Sequence, residues 1–217
     1  MAKRVKTKRA YDSSRRKKQA ETTQRDILEA AERSFMKQGY AATTMAAIAK
    51  EAGVALKTVY LAFETKSGVL RALWNTTLRG NDGGAPVAEQ EWFREVLKEP
   101  DPERQLRLNA RNGRIVKLRI CGVMEIIHGA ALIDTDIAAL WERIKTAFYA
   151  NQRTIVESVQ KKGALRRGLD VDRATDILWT LNHPAQWQLL VNERGWTPDQ
   201  YEAWLAETSC AQLLRQD

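Results

Sequence analysis

The sequence predicts an all-α protein, and three features of its pattern support that fold class. Apolar residues recur at spacings of three and four along most of the 217 residues. No segment alternates apolar and polar residues as a half-buried strand does, and only five prolines interrupt the chain. The composition, 44% hydrophobic and 29% charged, is typical of a folded soluble protein, and the length allows one large domain or two smaller ones.

The excess charge lies in a short N-terminal arm. The formal net charge is +8, and residues 1–18 account for all of it, because nine Lys or Arg stand there beside one acidic residue. Such a block is too polar to pack, so we expect residues 1–18 to be disordered. Its charge suits DNA through counterion release, with Arg15 and Arg16 as candidate contacts, although a solubilising tail has the same composition.

Several classes of protein are disfavoured by what the sequence lacks. Two cysteines, Cys121 and Cys210, are too few for a disulfide framework or a four-ligand zinc site, so a reducing compartment, the cytoplasm, fits best. No apolar run approaches the length of a membrane span. With two histidines, no glycine-rich phosphate loop and no nucleophile elbow, we expect neither an enzyme nor a bound cofactor.

Residues 19–66 are expected to form an N-terminal domain of three helices. Thr23, with an aspartate three residues later, is a capping signature for the first helix, which carries one apolar stripe and ends near Gly39. Thr44 can cap a shorter second helix, and Gly53 supplies the left-handed residue that ends it. The third helix follows this turn directly.

The third helix is predicted to have two distinct faces. The inward face consists of apolar residues: Leu56, Val59 and Phe63. The outward face consists of residues able to contact DNA: Lys57, Thr58 and Leu61, with Tyr60 at the border. Two short helices joined through a tight turn match the helix-turn-helix, whose second helix enters the major groove. An amphipathic helical hairpin without a DNA-binding role has the same spacing.

On the DNA-binding hypothesis each outward residue has a partner. Lys57 can reach a phosphate or a guanine edge, and Thr58 can hydrogen-bond a base or a phosphate. Leu61 offers an apolar surface to a thymine methyl group, which would explain an exposed leucine. The hydroxyl group of Tyr60 would contact a backbone phosphate. Phosphate contacts position a protein on the duplex, whereas base contacts specify the sequence.

Residues 67–217 are expected to form a larger helical domain. Thr65 can cap a fourth helix, which the segment 79–86 then breaks. The later helices are expected at 87–99, 102–131 (where Gly113 could interrupt the helix), 135–162, 172–182, 184–194 and 198–215. The last has the strongest start signal, because Thr197 caps it, a proline follows and Gln200 completes a capping box.

The segment from Thr22 to Leu73 resembles the DNA-binding domain of the TetR family of bacterial transcriptional repressors. The shared features are Gly39 and Tyr40 closing the first helix, a threonine opening the second, AGV at the turn, TVYxxF in the third and a lysine just after it. The resemblance implies an N-terminal three-helix helix-turn-helix domain followed by a larger helical ligand-binding and dimerisation domain. It also implies DNA contacts at Thr44, Lys57, Thr58, Tyr60 and Lys66.

Two residues depart from the family pattern. Ala55 stands where the family often has a serine cap, and Ala62 stands where a histidine is common. We therefore expect a weaker N-terminal cap on the third helix and one fewer polar contact with DNA. The preferred operator is expected to differ from those of other family members.

The C-terminal segment from Leu169 to Leu214 also resembles that family, in which the last two long helices pair with their symmetry mates as a four-helix bundle. The resemblance implies a homodimer, and hence a palindromic operator. The candidate interface residues are Leu178, Trp179, Leu181, Trp204, Leu205, Ala211 and Leu214. A core within one protomer would use the same residues.

In the family, the middle helices enclose a pocket for a small inducer. The candidate pocket residues are the scarce polar and aromatic groups of these helices: Glu125, His128, Trp141, Phe148 and Trp179. The seven tryptophans favour an apolar or aromatic ligand. Cys121, Glu125 and His128 share a helix face and could bind a soft metal, but a buried cysteine beside hydrogen-bonded polar groups is the simpler interpretation, and we predict no metal site.

The sequence therefore predicts a sequence-specific DNA-binding transcriptional regulator. We expect a homodimeric repressor that binds double-stranded operator DNA and is released by a small-molecule inducer. The alternative is an architectural protein that binds DNA through the basic arm without sequence preference. Base recognition gives a specificity ratio of about a thousandfold or more, whereas binding to phosphates alone gives similar affinity for any duplex.

Overall fold

The computed structural model describes residues 13–80 and 86–215. The chain divides into two compact units, Met1–Val69 and Leu70–Asp217. In the described ranges the regular structure is helical, and an isolated bridge pairs Leu165 with Leu214. The all-α prediction is confirmed, and the division between the units falls three residues beyond the boundary expected after residue 66.

Four helices lead through the first unit. They are α1 (Ser13–Ala42), α2 (Met45–Glu51), α3 (Leu56–Phe63) and α4 (Lys66–Arg79), and the boundary between the units falls within α4. The apolar stripe predicted for α1 is buried, and so are the inward residues of α2: Ile27, Ala30, Ala31, Phe35, Met45, Ile48 and Ala49. Packing against this stripe stabilises α2, since an isolated helix of seven residues is marginal in water.

Helix α1 begins earlier than the sequence predicted. Residues 13–18, including the exposed Arg15 and Arg16, belong to this helix, so the expectation of a disordered arm is wrong for them. Thr23 lies inside the helix and does not cap it. Lys and Arg are good helix formers, and extending an existing helix costs far less than starting one. Residues 1–12 of the predicted arm lie outside the described residues.

The start and end of α2 agree with the prediction. The side chain of Thr44 accepts a hydrogen bond from the Ala47 amide at 3.1 Å, as an N-cap does. Gly53 has a φ of +66°, the left-handed conformation that ends the helix and turns the chain into α3. Gly39 has a φ of +78°, which interrupts the regular geometry of α1 at the predicted position.

The prediction that Leu56 is buried is wrong. Its exposed fraction is 41%, whereas Val59, one turn later, is fully buried and Phe63 is half-buried. Leu56 is the first residue of α3. A residue at that position has no preceding helical turn beside it, so the helical period alone overestimated its burial.

The absence of a cap at Ala55 gives a testable prediction. Ala55 has the extended backbone of an N-cap, with φ −67° and ψ 142°, but no side-chain hydrogen bond closes the helix. We expect Ala55→Ser to stabilise α3 by about 0.5–2 kcal/mol. Hydrogen exchange of the Val59 amide measures this. Ala62→Ser is the control, since it adds the same hydroxyl inside the helix and should not increase the protection of the Val59 amide. Equal protection of this amide in both variants would contradict the prediction.

The second unit consists of longer helices. After a short turn at Val87–Glu89 they are α5 (Glu91–Lys98), α6 (Pro102–Ala130), α7 (Thr135–Lys161), α8 (Val171–Leu181), α9 (Pro184–Trp187) and α10 (Pro198–Leu213). The chain continues from α9 in wider π-helical turns through Glu193. The capping box predicted for α10 is present, because Thr197 and Gln200 exchange hydrogen bonds of 2.9 and 3.2 Å. Helix α6 runs through Gly113 without interruption.

The core of the second unit corrects part of the predicted dimer interface. Helix α10 packs along α6, and α7 packs along α8. Leu178 and Leu205 are completely buried within these contacts, in separate apolar clusters. A side chain that faces its own protomer's core has no surface left for a partner, so the prediction is wrong for these two leucines. Trp179, Leu181, Trp204 and Leu214 are half-buried and Ala211 is exposed.

Candidate DNA-binding surface and ligand cavity

The outward face of α3 is exposed as predicted. Leu61 has an exposed fraction of 76%, so its side chain is available for contact with a partner. Lys57 and Tyr60 are also exposed, and Thr58 is half-buried beside them. Val59 on the opposite side is fully buried and anchors the helix. The structure therefore presents a cation, two hydroxyl groups and an apolar side chain on one accessible surface.

Contacts within the first unit hold this surface in place. The guanidinium of Arg33 on α1 lies 3.0 Å from the Glu51 carboxylate at the end of α2. The hydroxyl of Thr43 is buried and donates to the Gly39 carbonyl at 2.8 Å, fixing the connection between α1 and α2. These contacts fix both ends of α2, and Thr44 lies at its start, where the first amides of a helix have no intrahelical partners.

Lys66 makes contacts that the sequence did not reveal. Its ammonium group donates to the carbonyl oxygens of Tyr40 at 2.8 Å and Thr43 at 3.0 Å, and lies 4.2 Å from the centroid of the Tyr40 ring. These acceptors precede α2, so Lys66 ties the start of α4 to the connection before Thr44. The DNA contact implied for Lys66 stays a prediction, and the amide groups at the start of α4 remain the natural phosphate donors.

The turn between α3 and α4 depends on a small residue. Thr65 caps α4, because its hydroxyl accepts from the Gly68 amide at 2.9 Å, as predicted. A Cβ atom on Gly68 would collide with the backbone carbonyl oxygen of Phe63. Glu64 between them has a φ of +61°, a strained value for a residue other than glycine. Gly68 therefore permits the close approach of α4 to the end of α3.

A cavity of about 500 Å³ lies inside the second unit. Its walls come mainly from α4, α5, α6 and α7 and are largely apolar and aromatic: Trp74, Trp92, Phe93, Ile120, Leu140 and Phe148. Phe148 is one of the predicted ligand-binding residues. The volume and the character of the walls are typical of small-molecule sites.

Polar side chains are gathered at one side of this cavity. Lys117 has an exposed fraction of 3%, and its ammonium group donates to Asn182 Oδ1 at 2.5 Å. The amide nitrogen of Asn182 in turn donates to Gln152 Oε1 at 3.1 Å. Burial lowers the pKa of Lys117 from 10.5 to about 7, because the charged form loses its hydration. No local pattern in the sequence indicates this group, since Asn182 lies 65 residues after Lys117.

A second cavity of about 340 Å³ holds three of the other four predicted ligand-binding residues. Glu125, His128 and Trp141 line it, and the rings of His128 and Trp141 lie 5.2 Å apart. Trp179 lines neither cavity and packs against His183 with a ring separation of 4.9 Å. The five candidates are therefore not brought together, because sharing one helical pattern does not decide which cavity a side chain faces.

Cys121, considered above with Glu125 and His128 as a metal ligand, also lines the second cavity. Within residues 13–80 and 86–215, no group of three Cys, His, Asp or Glu side chains is arranged to hold a metal ion. Burial raises the pKa of the Cys121 thiol to about 12, so the thiolate that binds metals is disfavoured.

Across residues 13–80 and 86–215, no helix combines the length and apolarity that crossing a membrane requires.

Known proteins resemble both units. Residues 27–73 match the profile of the bacterial regulatory proteins of the tetR family. The HTH-type transcriptional regulator TtgR of Pseudomonas putida is 31% identical over 166 residues, which are 74% of this chain and 76% of that protein.

Solved structures share the fold over nearly the whole chain. NalD, the secondary repressor of the MexAB-OprM multidrug efflux pump in Pseudomonas aeruginosa, superposes with a TM-score of 0.70 at 23% identity, covering 92% of this chain and 100% of that one. SmeT in complex with triclosan gives 0.69 at 20% identity, covering 89% and 92%. The match to TtgR shows the family, and the exposed face of α3 is where its DNA-binding helix is expected. The chain is a member of the TetR family of DNA-binding transcriptional regulators.

Proposed function

We propose that this protein is a repressor that recognises its operator through the outward face of α3. The observation that carries the proposal is the combination of Lys57, Tyr60 and a 76% exposed Leu61 on one side of a helix anchored by the buried Val59. Leu61 adds an apolar contact surface beside Lys57 and Tyr60, and a thymine methyl group in the major groove is a fitting partner for it.

The proposed repressor acts as a homodimer on a palindromic site. A twofold axis would place two copies of α3 about 34–36 Å apart, one turn of the duplex. The residues still available for such an interface are those that the protomer leaves partly or fully exposed: Trp179, Leu181, Trp204, Ala211 and Leu214. Most of them are large and apolar, and together they span α8 and α10, which agrees with a helical interface between copies.

The proposed signal for release is a small apolar or aromatic molecule bound in the larger cavity. That cavity has the volume and the aromatic walls for such a ligand, and SmeT, with the same fold, binds triclosan. Helix α4 carries Trp74 and Leu78 into the cavity wall and begins at Lys66, beside the connection to α2. A ligand that binds better when α4 is displaced would weaken DNA binding by that difference in affinity.

Substitutions on α3 test the proposal. We expect Lys57→Ala and Tyr60→Phe to weaken operator binding, because each removes a contact to DNA. Leu61→Ala should mainly relax discrimination at one base pair, by about 1–3 kcal/mol. Binding isotherms on the operator and on duplexes altered at single positions separate the two effects. Lys161→Ala, an exposed residue of α7, is the matched control for the loss of one positive charge.

The outcome of these measurements decides between two functions. If all three α3 variants bind like Lys161→Ala, α3 does not contact the DNA. Equal affinity of the wild-type protein for unrelated duplexes would favour the architectural alternative, in which the basic arm, residues 1–18, binds phosphates without sequence preference.

A further inference from the structure

The larger cavity contains basic side chains and, among the residues that the structure describes, no acid to compensate them. Among the described residues that line it, Lys117 and Arg143 are basic and none is an aspartate or glutamate. The rest of its wall is mostly apolar and Lys117 is 3% exposed, so the low polarity around Lys117 strengthens the attraction of its charged form for a negative group. A buried lysine amine adds no favourable interaction for a neutral apolar ligand, whereas it can pair with an anionic one.

Lys117 has unused hydrogen-bonding capacity. An ammonium group has three donors, and within the described part of the chain its recorded acceptor is Asn182 Oδ1. No carboxylate lies within 4 Å of it in that part of the chain. The Tyr201 ring, 5.3 Å away, supplies a weak attraction to the cation. A buried charge with so few partners is costly unless a ligand completes them.

The surrounding residues hold the buried Lys117 in place. Asn182 ends α8, and its hydrogen bond to Gln152 turns its oxygen toward the ammonium group. Gly113, one turn before Lys117 on α6, leaves the space that this pair occupies. A Cβ atom there would lie 2.9 Å from Asn182 Oδ1 and 3.4 Å from Lys117 Nζ. The glycine thus has a specific role in an otherwise regular helix.

We propose that the larger cavity binds an organic anion, an aromatic or apolar body with one carboxylate or phenolate group, whose charged oxygen pairs with Lys117. The aromatic walls bury the body of the ligand, and the ammonium group supplies a charge-assisted hydrogen bond in a site of low polarity. This inference rests on the proposed ligand-binding function and names the chemical class of the ligand.

Pairing with an anion also predicts proton uptake. Burial lowers the pKa of Lys117 to about 7, so at pH 8 most of the unliganded protein carries a neutral amine there. An anion beside it raises that pKa again and draws a proton from solution. The other titratable or charged groups near Lys117 are Cys121, Tyr201 and His183, together with Arg143 at the cavity. A neutral ligand carries no charge that would raise the pKa of any of these groups, so it should bind without proton uptake.

The test compares charged and neutral probes of equal shape, using calorimetry on the full chain. Biphenyl-4-carboxylate is paired with biphenyl-4-carboxamide, and ionised triclosan with its methyl ether, so that carboxylate and phenolate are distinguished. We expect the anion of at least one pair to bind about tenfold or more tightly than its neutral partner. At pH 8, the binding enthalpy of that anion should vary with the ionisation enthalpy of the buffer in the direction of proton uptake.

Variants assign the preference to Lys117. Lys117→Met should abolish the preference and the proton uptake while the neutral probe still binds. Lys161→Met, at an exposed lysine that does not line the cavity, should retain both. The buffer measurement on the wild-type protein needs no variant, so the test survives if Lys117→Met fails to fold. Equal affinities within both pairs, no binding of any probe, or a preference that persists in Lys117→Met would overturn the proposal.

Operator binding in the presence of each probe separates this inference from the proposed function. A Lys117-dependent preference for the anion with unchanged operator affinity would support the anion site and contradict ligand-induced release. Release by the neutral probes alone would support the proposed function and overturn the assignment of an anionic ligand.

Discussion

The stability of the wild-type protein relative to Lys117→Met is expected to rise as the pH is raised from 7 to about 9. The unfolded chain keeps the lysine proton up to its ordinary pKa of 10.5, whereas the folded protein loses it near 7. The unfolded state therefore binds more protons in this interval, and the difference in unfolding free energy increases with pH by at most about 1.4 kcal/mol per unit. Urea denaturation of both proteins at several pH values measures it.

The comparison with a variant removes other sources of pH dependence. Cys121 and Tyr201 also have raised pKa values because of burial, and they oppose the trend above pH 9, but they are present in both proteins. Lys161→Met is the control, since this lysine is exposed and the difference from wild type should not change with pH. If the difference in unfolding free energy between wild type and Lys117→Met does not change with pH, Lys117 stays charged when buried.

Leu178→Ala and Leu205→Ala are each expected to lower the unfolding free energy by about 2–5 kcal/mol, since both side chains are completely buried and their removal leaves cavities. The loss should be the same at high and low protein concentration, because each leucine packs inside its own protomer. Denaturant unfolding over a range of concentrations measures it. A loss that appears only at concentrations where the protein self-associates would contradict the placement of these leucines.

Ala211→Arg is the complementary variant. Ala211 is exposed on α10, so a larger charged side chain is tolerated by the folded protomer. In the proposed homodimer it would weaken association, which sedimentation detects as a concentration-dependent shift to smaller particles. Together the three variants separate residues that fold the protomer from residues that join two copies.

Local signals in the sequence predicted local structure well. Thr44, Gly53 and Thr197 were assigned as caps or turn residues because their function depends on neighbours within a few positions. The exposed face of α3 was predictable for the same reason, since a helical period separates Val59 from Leu61 without knowledge of the rest of the fold.

Features that depend on distant partners were not predictable. Lys66 contacts carbonyl oxygens 23 and 26 residues away, and Lys117 contacts a side chain 65 residues away. Apolar residues recur along α8 and α10, but the sequence cannot show whether a leucine such as Leu178 faces its own protomer or a second one. Four of the predicted cavity residues lie in two separate cavities and Trp179 lines neither, because tertiary packing decides which helices enclose a space.

Selection of bound duplexes from a random DNA library by the purified protein, at near-physiological salt, tests the central claim most directly. If the outward face of α3 recognises bases and the protein acts as a dimer, the selected sequences contain a palindrome whose half-sites are about one helical turn apart. A selected pool that shows no motif, with affinity that depends only on salt, would contradict sequence-specific recognition by α3.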